Sequence, residues 1–285
     1  MKQDPAMAKK SLGQHFLRDP QAIDRILSLL PRSCSVLEIG PGLGALTTPL
    51  LERCERLVLI EKDDRFAEHW RHVARRRSGL HVVHADVMQC LTETVTQHRP
   101  EWILGNLPYN ISGPLTALLA SYPLEGGMVL MYQREVAERI CAGPGSRLYG
   151  NLSVLVRHYY EPKICLRLPP GAFCPPPKVH SAVVLLKPRG LPLACTYTAL
   201  QKTVRLGFAH RRKTLRNNFR GILDEEQMLS LGIDPGLRPE QLDQASWTRL
   251  AQAIGNVSPP PPASLVNDPS GPARRDHRNR PRDGH

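Results

Sequence analysis

The chain has 285 residues, 41% of them hydrophobic and 22% charged, which supplies a sizeable core and excludes a wholly disordered polymer. A net charge of +12 implies a polyanionic partner only where the excess is clustered. No run reaches the roughly 18 apolar residues needed to cross a bilayer and no signal-peptide core is seen, so the expectation is a cytoplasmic protein with no membrane contact.

Residues 1 to about 10 read as a loose basic leader. Asp19-Pro20 then offers an N-cap and a first-turn proline, and Ile23, Ile26, Leu27 and Leu30 recur at helical spacing, which predicts a helix ending near Pro31. Short apolar runs at 36–39, 57–60, 80–83, 102–104 and 128–132 predict strands, with helical stretches such as 46–53, 65–75 and 115–122 between them. Strands separated by crossover helices predict a doubly wound, mostly parallel α/β sheet. The valine- and leucine-rich segment 179–186, entered through Pro175-Pro176-Pro177, predicts late strands that complete it.

A boundary is expected at 188–192, giving a sheet domain over 1–190 and a small helical domain over 191–256, with helices at 199–219, 225–231 and 247–254. Beyond it, 257–285 is Pro-rich and basic and is expected to be a disordered tail, its arginines at 274, 275, 278, 280 and 282 suited to adding nonspecific affinity for a polyanion. Between 202 and 220 lie Lys202, Arg205, Arg211, Arg212, Lys213, Arg216 and Arg220 with no acid among them, so more than half the net charge sits there. Seven scattered cysteines without a C-x-x-C pair predict reduced thiols and no metal site.

Leu37-Glu38-Ile39-Gly40-Pro41-Gly42-Leu43-Gly44 puts three alternate glycines between a strand and a helix, where a backbone can turn tightly against a ligand. Glu61 ends the next strand 21 residues after Gly40, suited to a ribose diol, and Asp86 follows the third, suited to an adenine amino group. The glycine spacing differs from the pyrophosphate fingerprint of dinucleotide enzymes. Glu38 entering the loop disfavours a diphosphate and suits the cationic groups of S-adenosylmethionine. A dehydrogenase remains the lower-ranked reading.

The fourth strand runs into Gly105-Asn106-Leu107-Pro108-Tyr109. An adenine amine is a poor nucleophile because its lone pair is delocalised into the ring. The oxygen of Asn106 and the carbonyl of Leu107 can accept its hydrogens, with Pro108 fixing the backbone and Tyr109 offering a stacking face.

These segments, with Gly13-Gln14-His15-Phe16-Leu17, 149–153, 173–181 and 211–217, resemble the ribosomal RNA adenine dimethylase family, in its bacterial small-subunit branch, from about residue 10 to 254. The resemblance implies a Rossmann-like class I methyltransferase domain. His15, Leu17, Gly40, Glu61, Asp86 and Asn106 would contact S-adenosylmethionine, and Phe173 would help hold the target base near Tyr109. Asparagine often stands in the family where this chain has His15.

The implied reaction is N6,N6-dimethylation of two adjacent adenines in the 3′-terminal hairpin loop of small-subunit ribosomal RNA, within the assembling 30S particle, by a monomer whose basic run meets the phosphates. Two rivals stand beside it: a related methyltransferase of large-subunit RNA, and a non-catalytic assembly factor with the same fold.

Overall fold

A computed structural model describes residues 14–190 and 194–255. The leader, part of the expected boundary and the tail with its arginines lie outside the described residues.

Strand β1 (Phe16–Leu17) leads into helix α1 (Pro20–Leu27), where Asp19 caps the first turn by accepting from the Ala22 amide at 3.2 Å. The helix stops at Leu27, short of Pro31, and turns carry the chain through Leu29 and Leu30. Strands and helices then alternate as the apolar runs predict: β2 (Ser35–Ile39), α2 (Thr47–Leu50), β3 (Arg56–Glu61), α3 (Asp64–Ala74), β4 (Leu80–His84), α4 (Val87–His98), β5 (Trp102–Asn106), α5 (Ser112–Leu119) and β6 (Gly127–Gln133). Helices α6 (Arg134–Cys141) and α7 (Asn151–Val156) precede β7 (Tyr160–Leu168), β8 (Phe173–Cys174) and β9 (Ser181–Pro188).

The sheet order is β4-β3-β2-β5-β6-β9-β7, parallel as far as β6, after which β9 and β7 join antiparallel. This is the doubly wound, mostly parallel sheet that the alternation of strands and helices predicts. Consecutive strand residues feed opposite layers: Leu37, Val58, Ile103 and Leu130 join a core with α4, α5, α6 and α7, while Val36, Leu59, Leu104 and Val129 join another with α1, α2 and α3. Each such side chain contributes about 1.5–3 kcal/mol by leaving water. Strand order reverses at β2/β5, which opens a crevice at the carboxyl edge.

The remaining helices are α8 (Tyr197–Gly207), α9 (Leu215–Asn218), α10 (Glu225–Ser230) and α11 (Gln244–Gly255). The single helix expected over 199–219 is broken between Gly207 and Leu215. There the Asn218 amide bonds both the backbone N–H and the carbonyl of His210, at 3.1 and 3.2 Å, so a side chain takes the partners a helix would use. The apolar side chains of this part, among them Leu200, Val204, Phe219 and Trp247, continue one core of the sheet without a gap. No helix among the described residues is long and apolar enough to cross a membrane.

His158 lies at this junction, 3% exposed, packed between Tyr159 and Tyr197 with no hydrogen-bond partner on Nε2. Burial, and then the nearby Arg189 charge, hold its pKa down to about 4. An unfolded histidine protonates near 6.5, so the neutral buried ring favours folding above that pH, and the contribution is lost as pH falls toward 4. His158→Phe is therefore expected to remove about 2 kcal/mol of the stability lost between pH 7 and 4.5, after allowance for solvent screening, as read by urea unfolding at both pH values.

Candidate active site

One open cleft of about 990 Å³ lies at the carboxyl edge of the parallel strands. It brings together His15 from the N-terminal segment, Gly40 after β2, Glu61 and Lys62 at the end of β3, and Asp86 after β4. Asn106, Leu107, Pro108 and Tyr109 after β5 complete it.

The glycine loop is held open by its conformation. Gly40 has φ +68°, with nothing within 4 Å of the place a Cβ would occupy, so its backbone is bare toward a ligand. Gly44, at φ +86°, has Trp70 so close that a Cβ would sit 2.4 Å from the indole, and the indole N–H donates to the Gly42 carbonyl at 3.0 Å.

Glu61 is buried, and its two oxygens accept the Gly42 amide at 3.0 Å and the Asp63 amide at 2.8 Å. Burial pushes its pKa up, and these backbone donors oppose the shift. Asp63 caps α3, pairs with Arg65 and accepts from Gln14 at 3.1 Å, which ties the N-terminal segment across the cleft. Asp86 caps α4 by accepting from the Met88 amide at 2.9 Å, and its other oxygen meets Lys62 Nζ at 2.8 Å. That ammonium, and then the amide, hold the Asp86 carboxyl below its usual range. Lys62 escaped the sequence reading because nothing in its residue type marks it, and only the meeting of two strand ends brings it to Asp86.

The Asn106 Nδ2 donates to the His15 carbonyl at 2.8 Å. A carbonyl only accepts, so the amide must present its nitrogen there, which leaves Oδ1 as the acceptor for the cleft. By the same logic His15 Nδ1 carries the proton it shares with the Pro175 carbonyl at 2.8 Å. The His15 ring stacks on Tyr109, with centroids 5.6 Å apart and planes 26° from parallel. One face of Tyr109 is thus covered by the protein itself.

The Tyr109 hydroxyl meets Ser181 Oγ at 2.7 Å, and burial raises the Tyr109 pKa. Ser181 opens β9 and is fully buried, so this bond pins the ring to the sheet. Ser181→Ala is expected to lower kcat about tenfold by freeing the ring. In a double-mutant cycle with Tyr109→Phe the second change should add little, because either alone already breaks the pair.

Two expected site residues lie elsewhere. Leu17 lines a smaller adjoining cavity. Phe173 is 1% exposed, with its backbone paired to Leu17 in the β1–β8 ribbon, and it is not among the side chains lining the cleft. Pairing of β8 with β1 sets the ring in the core beneath the N-terminal segment, next to the cleft that shares Phe16 with it.

All seven basic residues are exposed: Lys202 and Arg205 on the outer face of α8, Arg211, Arg212 and Lys213 in the turn after it, Arg216 on α9 and Arg220 beyond. Arg216 meets Glu225 at 3.0 Å and Arg211 lies 4.0 Å from Glu240, acids from outside the run that partly offset it.

A model of the family described as "Ribosomal RNA adenine dimethylase" matches residues 6–255. The chain belongs to that family. Ribosomal RNA small subunit methyltransferase A of Vibrio cholerae is 42% identical over 250 residues, covering 86% of this chain and 92% of the relative. Its counterpart in Xanthomonas campestris is 43% identical over 251 residues, with 86% and 96% covered. Among solved structures, a dimethyladenosine transferase from Plasmodium falciparum is similar with a TM-score of 0.69 at 26% identity, over 83% of this chain and 96% of that one. The 23S rRNA methyltransferase ErmE gives 0.61 at 25% identity, over 84% and 99%.

The cleft suits the cofactor such a family implies. Carboxylates stand at two strand ends, the bare Gly40 backbone leaves room, and a buried carboxyl oxygen of Glu38 beside it lacks any partner.

Proposed function

We propose that the protein dimethylates the N6 amines of two adjacent adenines in the 3′-terminal hairpin loop of small-subunit ribosomal RNA, with S-adenosylmethionine as methyl donor, during assembly of the 30S particle. The observation that carries this reading is the orientation of Asn106, whose amide nitrogen is spent on His15 and whose oxygen is left for an amine. Identity of 43% over 86% of the chain to a small-subunit methyltransferase supports the substrate.

When bound, S-adenosylmethionine supplies a methyl group made electrophilic by its sulfonium. Glu61 accepts hydrogen bonds from the ribose and Asp86 from the adenine amino group, while Gly40 gives the backbone approach. His15 and Leu17 close the methionyl side. At the other end, Asn106 Oδ1 and the Leu107 carbonyl accept the two hydrogens of the target amine and return electron density to its nitrogen. Backbone pairing of the Leu107 amide to the Met131 carbonyl at 3.3 Å steadies that peptide.

The free face of Tyr109 stacks the base, and a looped adenine is extruded at lower cost than one in a duplex. Residues 197–255 form the RNA-docking part, with Lys202, Arg205, Arg211, Arg212, Lys213, Arg216 and Arg220 against phosphates, so affinity falls steeply with salt.

The test is transfer of labelled methyl from S-adenosylmethionine to undermethylated small ribosomal subunits, with large subunits in parallel, followed by nucleoside analysis. Dimethyladenosine on small subunits alone is expected. Label on large subunits would move the substrate to the other ribosomal RNA, and label on neither would leave an assembly factor.

A further inference from the structure

The excess positive charge of the chain sits in two runs, and only one of them has a role so far. From His69 to Ala85 the sequence carries Arg71, Arg75, Arg76 and Arg77 and no acid. With the seven basic residues between 202 and 220 these make eleven of the 38 lysines and arginines and none of the 26 acids, so the rest of the chain is close to neutral. The two runs stand on different sides of the molecule. Helix α3 starts beside the cleft at the carboxyl end of β3 and runs back to the amino end, where the Gly79 carbonyl accepts the Leu57 amide at 2.8 Å. It packs on the outermost strand β4, in the core layer of Phe66 and Trp70. Helix α8 packs on α7 in the other layer, and α7 on β7 at the opposite edge. Across a seven-stranded sheet, six spacings of about 4.8 Å set the two edges roughly 30 Å apart. The runs are therefore separate surfaces.

Arg71 and Arg75 lie one turn apart on the exposed side of α3, about 6 Å along its axis. With Asp64, Glu68, His72 and His84 they line an open groove of about 850 Å³. Asp64 is taken by His84 at 2.9 Å, which leaves Glu68 as the other acid of the groove. Among the described residues Arg71, Arg75 and Arg76 meet no acid, whereas Arg77 donates to the Leu51 carbonyl and so ties the turn after α3 to the sheet. A cation or two in the last turn offsets a helix dipole, and like charges at i and i+4 repel. Three exposed guanidiniums without a partner thus weaken the fold, and only a counter-charge from outside relieves them. All three are arginine, whose planar fork takes two oxygens of one phosphate at once.

We propose that the outer face of α3, through Arg71, Arg75 and Arg76, is a second RNA-docking surface, which grips the phosphate backbone of a further RNA segment of the small subunit while the cleft holds the target loop. The inference rests on the small ribosomal subunit being the substrate. Phosphate contacts carry no base information, so this surface reads position and not sequence. Two grips on opposite sides of the sheet fix the direction from which the cleft meets the RNA, whereas a single basic patch leaves the protein free to pivot.

The experiment is equilibrium binding of the full chain to undermethylated small subunits, and to protein-free small-subunit ribosomal RNA, over a range of salt concentrations. The triple variant Arg71→Gln, Arg75→Gln, Arg76→Gln is expected to bind both about tenfold or more weakly near roughly 0.1 M salt, with the slope of log affinity against log salt reduced by roughly 2–3. In methyl transfer the loss should fall on KM for subunits. A control with Arg25→Gln, Arg32→Gln and Lys163→Gln removes the same charge from exposed residues elsewhere and should leave affinity and slope nearly unchanged. Lysine at the three positions keeps the charge and should restore the slope, which a purely structural role would not require. Equal affinity and slope for the glutamine variant and the wild type overturn the inference, and so does an equal loss in the control. A loss on subunits with none on protein-free RNA assigns the face to an acidic ribosomal protein and overturns it too. A wild-type chain that binds no small subunit instead removes the substrate reading, and this inference with it.

Discussion

Asn106→Ala is expected to lower kcat for methyl transfer by about 10²–10³, equivalent to roughly 3–4 kcal/mol of barrier. Two losses add. The amine loses an acceptor whose orientation is fixed before it arrives, and the His15 carbonyl loses its donor, so the N-terminal segment slackens over the cleft. Asn106→Asp separates the two. A carboxylate can still accept from an amine, but it cannot donate to His15, and it sets negative charge against a carbonyl oxygen. If orientation by His15 matters, the aspartate variant should fall nearly as far as alanine. Single-turnover label transfer on small subunits measures both, and near-normal activity of Asn106→Asp would show that acceptance alone suffices.

The parts of the site that could be read from sequence are those built by local pattern. The glycine loop, Glu61, Asp86 and Asn106 each follow a short apolar run that had to be a strand, and a parallel sheet brings successive strand ends to one edge. Strand β7 could not be read the same way. Tyr160–Leu168 carries Pro162 and several charges because it is the sheet's last strand, free on one side, so the apolar signal fades.

Long-range ties were equally invisible. Ser181 reads as any strand-start serine, and only the fold sets its hydroxyl on Tyr109, 72 residues away. The direction of the Phe173 ring is likewise set by the fold, since an aromatic before a proline-rich turn has no inherent direction until β8 pairs with β1. The seven basic residues are exposed, and the acids that meet two of them, Glu225 and Glu240, lie outside the window in which their charge was counted.

Trp247→Ala should cost about 3–5 kcal/mol, a large share of the 5–15 kcal/mol that holds a typical domain together. The indole is fully buried on α11 and stacks on Phe208 with centroids 5.3 Å apart and planes 20° from parallel. It also presses on α8 at Gly207, where a Cβ would come within 2.4 Å of the ring, so the gap left by alanine has no larger neighbour to fill it. Phe208 in turn meets Tyr149 edge-on at 6.3 Å, which links the indole to the segment before α7.

Because the apolar cluster around Trp247 runs without a break into one layer of the sheet, the loss should appear as a lower midpoint of a single unfolding transition. Urea denaturation followed by far-ultraviolet dichroism, and by the fluorescence of the two remaining tryptophans, Trp70 beside the glycine loop and Trp102 on β5, should then give coincident curves. If the dichroism falls first while the fluorescence of Trp70 and Trp102 is unperturbed, residues 197–255 are a separately folding unit, and their boundary with the sheet is one of folding as well as of sequence. In that case the variant should bind S-adenosylhomocysteine normally and lose affinity for small subunits alone, since the cleft draws its side chains from residues before α8 and the basic run does not.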